Sequence, residues 1–138
     1  GHNAILRENN IIGNNIKIGS NVEIAFNVEI SDNTNIHSNT FICENTKIGA
    51  NVFIGPNVNF LNSKFPGQKD SKKLLKSPII CENVIIGGGV TLLPGVVIGK
   101  NTLIGAGSVI TKDIPPNSIV YNSLKTTIKK NDKTLRSK

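Results

Sequence analysis

The chain has no tryptophan and no methionine, one tyrosine and five phenylalanines, so aromatics supply only 4% of its 138 residues. That excludes a core of stacked rings and points to an interior of small aliphatic side chains. Because no methionine stands even at the start, Gly1-His2 reads as a tag remnant. The two cysteines, Cys43 and Cys81, have no second pair and no ligand-like spacing, which excludes a disulfide framework and a cysteine metal site. Apart from His2, His37 is the sole imidazole. No apolar run approaches about 18 residues and nothing looks like a signal peptide, so the expected location is cytoplasmic.

What is present is a rule of six. From Val84 to Asp113 it runs without a slip, with Ile86, Leu92, Ile98, Ile104 and Ile110 at one phase. Three residues after each come Gly89, Gly95, Asn101, Gly107 and Asp113, residue types that tolerate left-handed backbone at a corner. The phase runs back through Ile80 and, before it, through Phe60, Ile54, Ile48, Ile42, Ile36, Ile30, Ile24, Ile18, Ile12 and Leu6. Asparagines from Asn9 to Asn57 keep the corner phase. A period of six fits neither an amphipathic helix nor a hairpin sheet. It fits a short strand and a turn, repeated, in which each unit buries its aliphatic residue only when another coil stacks on it. The first position of each unit, as in Val22, Thr46 and Val96, suits a smaller β-branched neighbour.

Between Ser63 and Ser77 the register stops, and Pro66-Gly67 and a run of lysines mark a loop thrown out from the solenoid. A net charge of +7 could mean nucleic acid, a membrane surface or small anions. Position decides among them. Lys64, Lys69, Lys72, Lys73 and Lys76 crowd the loop, Lys125, Lys129, Lys130, Lys133, Arg136 and Lys138 crowd the tail, and no aromatics are interleaved for base stacking. Two clusters bordering one pocket for a phosphate-rich ligand is the joint reading, against a solvated loop and tail. A few outward residues are apolar, Phe26, Phe41, Phe53 and Val97, and could bury one another in a three-fold ring.

These sixteen units resemble the hexapeptide-repeat acyltransferases over roughly residues 4–121. The resemblance implies an all-β fold: a single-stranded, left-handed parallel β-helix of about five coils, with one inserted loop and a short basic tail. The expected division is a β-helix domain at 3–121 with its insertion at 64–77, an extension at 122–138 and the remnant at 1–2. The resemblance also implies acetyl-coenzyme A as co-substrate and a homotrimer with its active site between subunits; the residues themselves lead to the expectation of no metal, nucleic acid or membrane partner.

By the match of residues 105–116 to the family's end-of-helix signature, Gly88 and Ala106 would offer backbone to the pantetheine amides. Thr111 and Lys112 would meet the adenosine and phosphate end. Where many relatives carry a Gly-Asn-Pro-Ala-Arg corner, this chain has Tyr121 to Lys125. The catalytic histidine of the related sugar and xenobiotic O-acetyltransferases precedes a proline in the loop, but Phe65 precedes Pro66 here. A hydroxyl nucleophile needs such a base, whereas an amine of pKa about 8 is already partly neutral. Residues 59–67 also look like a degraded loop of the N-acetyltransferases acting on nucleotide-linked amino sugars, with Phe60, Asn62 and Pro66 matching. The expected catalytic residues are Asn62, aimed at the amine or the thioester oxygen, and His37 as a possible base. Amine transfer is the leading expectation. O-transfer through His37 is one alternative and a non-catalytic scaffold is another. Zinc held by three histidines, as in the related carbonic anhydrases, is beyond a chain whose only histidine besides His2 is His37.

Overall fold

The computed structural model describes residues 1–123 and 125–130. Among the described residues seventeen two-residue strands wind into three parallel sheets. Face one stacks Ile5–Leu6, Glu23–Ile24, Phe41–Ile42, Asn59–Phe60, Thr91–Leu92 and Val109–Ile110. Face two stacks Ile11–Ile12, Glu29–Ile30, Lys47–Ile48, Ile79–Ile80 and Val97–Ile98. Face three stacks Lys17–Ile18, Asn35–Ile36, Phe53–Ile54, Ile85–Ile86, Leu103–Ile104 and Ile119–Val120. This is the hexapeptide β-helix that the repeat predicts. Corner one follows face one, corner two follows face two and corner three follows face three.

The second residue of each strand points inward. From Ile24 to Ile110 every one is buried, Phe60 included, whereas Leu6 in the first coil is half exposed. Each buried aliphatic contributes about 1.5–3 kcal/mol, so one Ile54→Ala in mid-column should cost roughly 2–5 kcal/mol. The β-branched position beside it carries buried Thr34, Thr40, Thr46 and Thr102, whose hydroxyls reach corner carbonyls; Thr40 Oγ1 donates to Gly55 O at 3.0 Å. The corner asparagines adopt φ of 56° to 62° from Asn9 to Asn57, and Asn101 (57°), Gly89 (69°), Gly95 (76°) and Gly107 (73°) are left-handed too. Several asparagines also bond from coil to coil, as Asn83 does to Asn101 and Asn101 to Asn117.

Three expectations need amending. Asp113 is not left-handed. The last coil is two residues short, pairing Ile98 with Ile114 and Ile104 with Val120, and Asp113 Oδ1 instead accepts the Val97 N–H at 2.8 Å. Pro115-Pro116 enforces that shortcut, since neither residue can donate to a ladder. Gly1 and His2 are not an appendage to the solenoid: Asn3 has φ 58°, the Gly1 amine donates to Ile18 O and Asn21 N–H donates to His2 O, all in the repeat register. Asn122 belongs to the top coil, where its Oδ1 accepts the Val109 N–H at 2.6 Å. Of the basic tail, Lys133, Arg136 and Lys138 lie outside the described residues.

The loop is clamped at its base, where Lys76 N–H donates to Asn62 O at 2.9 Å and Ser77 Oγ donates to Glu44 O. It carries one 3-10 turn, Ser71–Leu74. Among the described residues no helix is long and apolar enough to cross a membrane.

Candidate active site

The expected site residues fall at two corners. At corner three, backbone bonds build a ladder: Asn39 N–H to Ser20 O, Asn57 N–H to Ser38 O, Gly89 N–H to Pro56 O and Gly107 N–H to Gly88 O. Gly88 and Ala106 are successive members of it, and His37 adjoins Ser38 two coils below Gly88. Asn62, Thr111 and Lys112 stand instead at corner one, at the far ends of face-one strands. Thr111, Ser63 and Lys64 line a cavity there. The structure therefore assembles two half-sets, one on each side of face one.

The upper part of corner three has almost no side chains. Gly87-Gly88-Gly89 lies beneath Gly105-Ala106-Gly107, and the N–H groups of Gly88 and Ala106 make no backbone hydrogen bond. Packing explains only some of these glycines. A Cβ at Gly87 would fall 2.5 Å from Ala106 N and one at Gly55 2.6 Å from Gly88 N, so these two must be glycine. Gly89 and Gly107 are different: a Cβ there would meet nothing within 4 Å. Their φ of 69° and 73° lies in the same left-handed region as the 57° to 62° of Asn21, Asn39 and Asn57 at this corner in the lower coils. Space does not require glycine there; the left-handed backbone narrows the choice to glycine or a residue such as asparagine, and glycine leaves the corner bare.

His37 is exposed, with its ring 4.7 Å from that of Phe53 and inclined by 47°. No carboxylate orients it, whereas a histidine base usually has such a partner. Asn62 Nδ2 is buried and has no hydrogen-bond partner. An unsatisfied donor of this kind costs about 1–3 kcal/mol, which makes Asn62 Nδ2 stand out among the buried polar atoms. Lys112 is exposed beside Thr111 at the top coil, where both line a small cavity. Cys43 is buried with Sγ 3.3 Å from Thr46 Oγ1, and burial pushes its thiol pKa up. Both cysteines are free. No cluster of three potential metal ligands exists among the described residues.

A cavity of about 920 Å³ lies elsewhere, at corner two, lined by Gly49, Cys81, Val97, Gly99 and Pro116 among others. It holds none of the expected residues, and its size alone does not make it the site of the chemistry.

Sequence reading missed a column. In register on face three the outward residues are Phe53, Ile85, Leu103 and Ile119, all more than a third exposed. Of the outward residues expected to bury one another, Phe53 belongs to it, while Phe26 lies at corner one, and Phe41 and Val97 lie on other faces and are half-buried. The signal was there in the residue before each inward one, but the insertion hides the alignment of Phe53 with Ile85.

The bacterial transferase hexapeptide model (six repeats) matches residues 27–62 and 77–112, more than half of the chain, which therefore belongs to that family. Galactoside O-acetyltransferase of Lactococcus lactis subsp. lactis is 56% identical over 48 residues, 35% of this chain and 23% of that protein. The matched stretches span less than a third of each of these curated relatives. Among solved structures, a maltose O-acetyltransferase from Clostridium difficile 630 is 32% identical with a TM-score of 0.67, covering 81% of this chain and 64% of that one. A galactoside acetyltransferase in complex with coenzyme A is 36% identical with a TM-score of 0.70, covering 81% and 60%.

Proposed function

We propose that this protein transfers an acetyl group from acetyl-coenzyme A to the amine of a nucleotide-linked amino sugar. The observation that carries the co-substrate is the bare strip at corner three, where Gly89 and Gly107 stand at left-handed positions that carry asparagine in the lower coils and open onto empty space. An extended arm with amides can lie there and accept from the free N–H groups of Gly88 and Ala106. The resemblance to a galactoside acetyltransferase that holds coenzyme A supports this reading. Thr111 and Lys112 in the topmost coil of a neighbouring copy take the adenosine and phosphate end, so the thioester points down the corner.

The amine attacks the thioester carbonyl and a C–N bond forms. The tetrahedral oxyanion collapses with cleavage of the C–S bond, and the departing thiolate takes the amine's proton directly or through water. Asn62 is the donor we assign to the oxyanion or the amine, since its Nδ2 is free of any other duty. In one protomer Asn62 and the strip are separated by face one, so the site is completed between copies. We read the assembly as a homotrimer, with the apolar column of face three as the surface that copies bury and the 64–77 loop of one protomer over corner three of the next.

The second reading is O-transfer with His37 as base. It is favoured by the sugar O-acetyltransferases among the relatives and disfavoured by the absence of an orienting group on His37. Thiol release from acetyl-coenzyme A with matched amino and hydroxyl sugar nucleotides tests the choice. Turnover of the amino compound alone is expected; no thiol release with either, together with no coenzyme A binding, would leave a scaffold.

A further inference from the structure

Corner three has a lower half that is unlike the strip. Below Pro56 it is polar, and a cavity of about 300 Å³ opens there, lined by Lys17, Gly19, Asn35, His37 and Ser38 among others. Lys17 and Asn35 are register partners on face three, directly before the corner. We propose that this cavity is the acceptor subsite and that Lys17 holds a phosphate of the acceptor. The inference rests on the acetyl-transfer reading, and it adds where the acceptor sits and which residue selects it.

Position is the first support. The ladder runs from Gly88 through Pro56 to Ser38 without a break, and two coil spacings make roughly 10 Å. A thioester whose arm lies on Gly88 and Ala106, with its phosphates at the top coil, therefore ends beside this cavity. Charge is the second. Lys47 and Lys73 are paired with Glu29 and Asp70, but Lys17 makes no ion pair among the described residues, and no carboxylate lines the cavity. An unpaired ammonium in one cavity with an amide, a hydroxyl and an imidazole is a set of donors that suits phosphate oxygens. The third support is rigidity. A Cβ at Gly19 would fall 2.6 Å from Ser38 N, so the floor is backbone packed on backbone, and the Phe53 ring lies 4.7 Å from that of His37.

Because the chain has two histidines, the ring proton of His37 gives an assignable NMR signal once His2 is identified by substitution. The protein is titrated, without coenzyme A, with glucosamine, glucosamine 1-phosphate and a uridine diphosphate amino sugar. Either phosphorylated compound is expected to move the His37 signal while glucosamine does not. Lys17→Ala should weaken that binding about tenfold or more, whereas Lys47→Ala, on face two, leaves it unchanged. A sugar phosphate binding as well as the nucleotide sugar means that the phosphate next to the sugar is the group read; binding of the nucleotide sugar alone means that the diphosphate is required. No movement of His37 with either phosphorylated compound, or equal affinity in Lys17→Ala, overturns the proposal. Calorimetry with coenzyme A alone reports separately on the strip, so loss of one reading is not mistaken for loss of the other.

Discussion

A methyl group at Gly87 would sit 2.5 Å from the backbone nitrogen of Ala106 one coil above, so Gly87 is glycine because of packing. Gly89, two residues on, opens onto empty space with φ 69°. The two should respond to substitution in opposite ways. Gly87→Ala forces coils apart and should lose roughly 1–3 kcal/mol in a denaturant titration. Gly89→Asn and Gly107→Asn should stay within about 0.5 kcal/mol of the parent, yet bind coenzyme A at least about tenfold more weakly by calorimetry, because a side chain then occupies the strip. Unchanged affinity in Gly89→Asn would remove the strip as the co-substrate site.

Cys43 makes a separate prediction about pH. Burial raises its thiol pKa in the native state, whereas the unfolded thiol titrates near its ordinary value of about 8.5. Above that value the unfolded chain binds fewer protons than the native one, so stability falls as pH rises. The contribution is complete below about pH 8.5 and is lost as pH climbs toward the raised native value. Urea midpoints measured from neutral to alkaline pH should show this fall, and Cys43→Ala should flatten it. Identical slopes in the two proteins would mean that the thiol is not held protonated by the fold.

The face-three column makes a prediction about assembly. Ile85 and Leu103 point outward and are register partners, so Leu103→Glu does not disturb the core. It does place a charge in the surface that copies are proposed to bury. Sedimentation should show the parent as a trimer and Leu103→Glu as a folded monomer, with acetyl transfer lost because the two half-sets no longer meet. A monomeric parent that retains full turnover would rule out a site shared between subunits.

The inward phase and the corners were legible because each is enforced at every coil: an aliphatic that must be covered and a left-handed turn that few residues accept. The shortened last coil was not, since Asp113 has the right residue type for a corner and only the paired prolines behind it divert the chain. The site was half legible. Gly88, Ala106, Thr111 and Lys112 stand in two adjoining coils, as the end-of-helix signature suggests, but on opposite sides of face one. Spacing along the chain gives phase, and phase gives the corner, yet which corners of two protomers meet depends on outward residues. Lys17 escaped notice for the same reason: its neighbours Asn35, His37 and Ser38 are one coil away, not in sequence.

The choice between amine and hydroxyl transfer rests on His37 and Asn62. As a general base His37 would supply a factor of roughly 100 to 10,000, so His37→Asn would abolish most turnover. The ring has only Phe53 against it and no carboxylate behind it, so the expected loss is small, within a few-fold. The rate should instead climb with pH as the acceptor amine loses its proton, near pH 8 by analogy with an α-amino group. Asn62→Ala should be the more damaging change, costing about 100-fold or more in kcat if the amide steadies charge that appears only in the transition state. Its stability offers a check that a merely structural asparagine would fail. Removing a buried donor that has no partner should leave the melting temperature unchanged or raise it, while kcat falls. Turnover confined to the hydroxyl acceptor and abolished by His37→Asn would move the assignment to O-acetyl transfer.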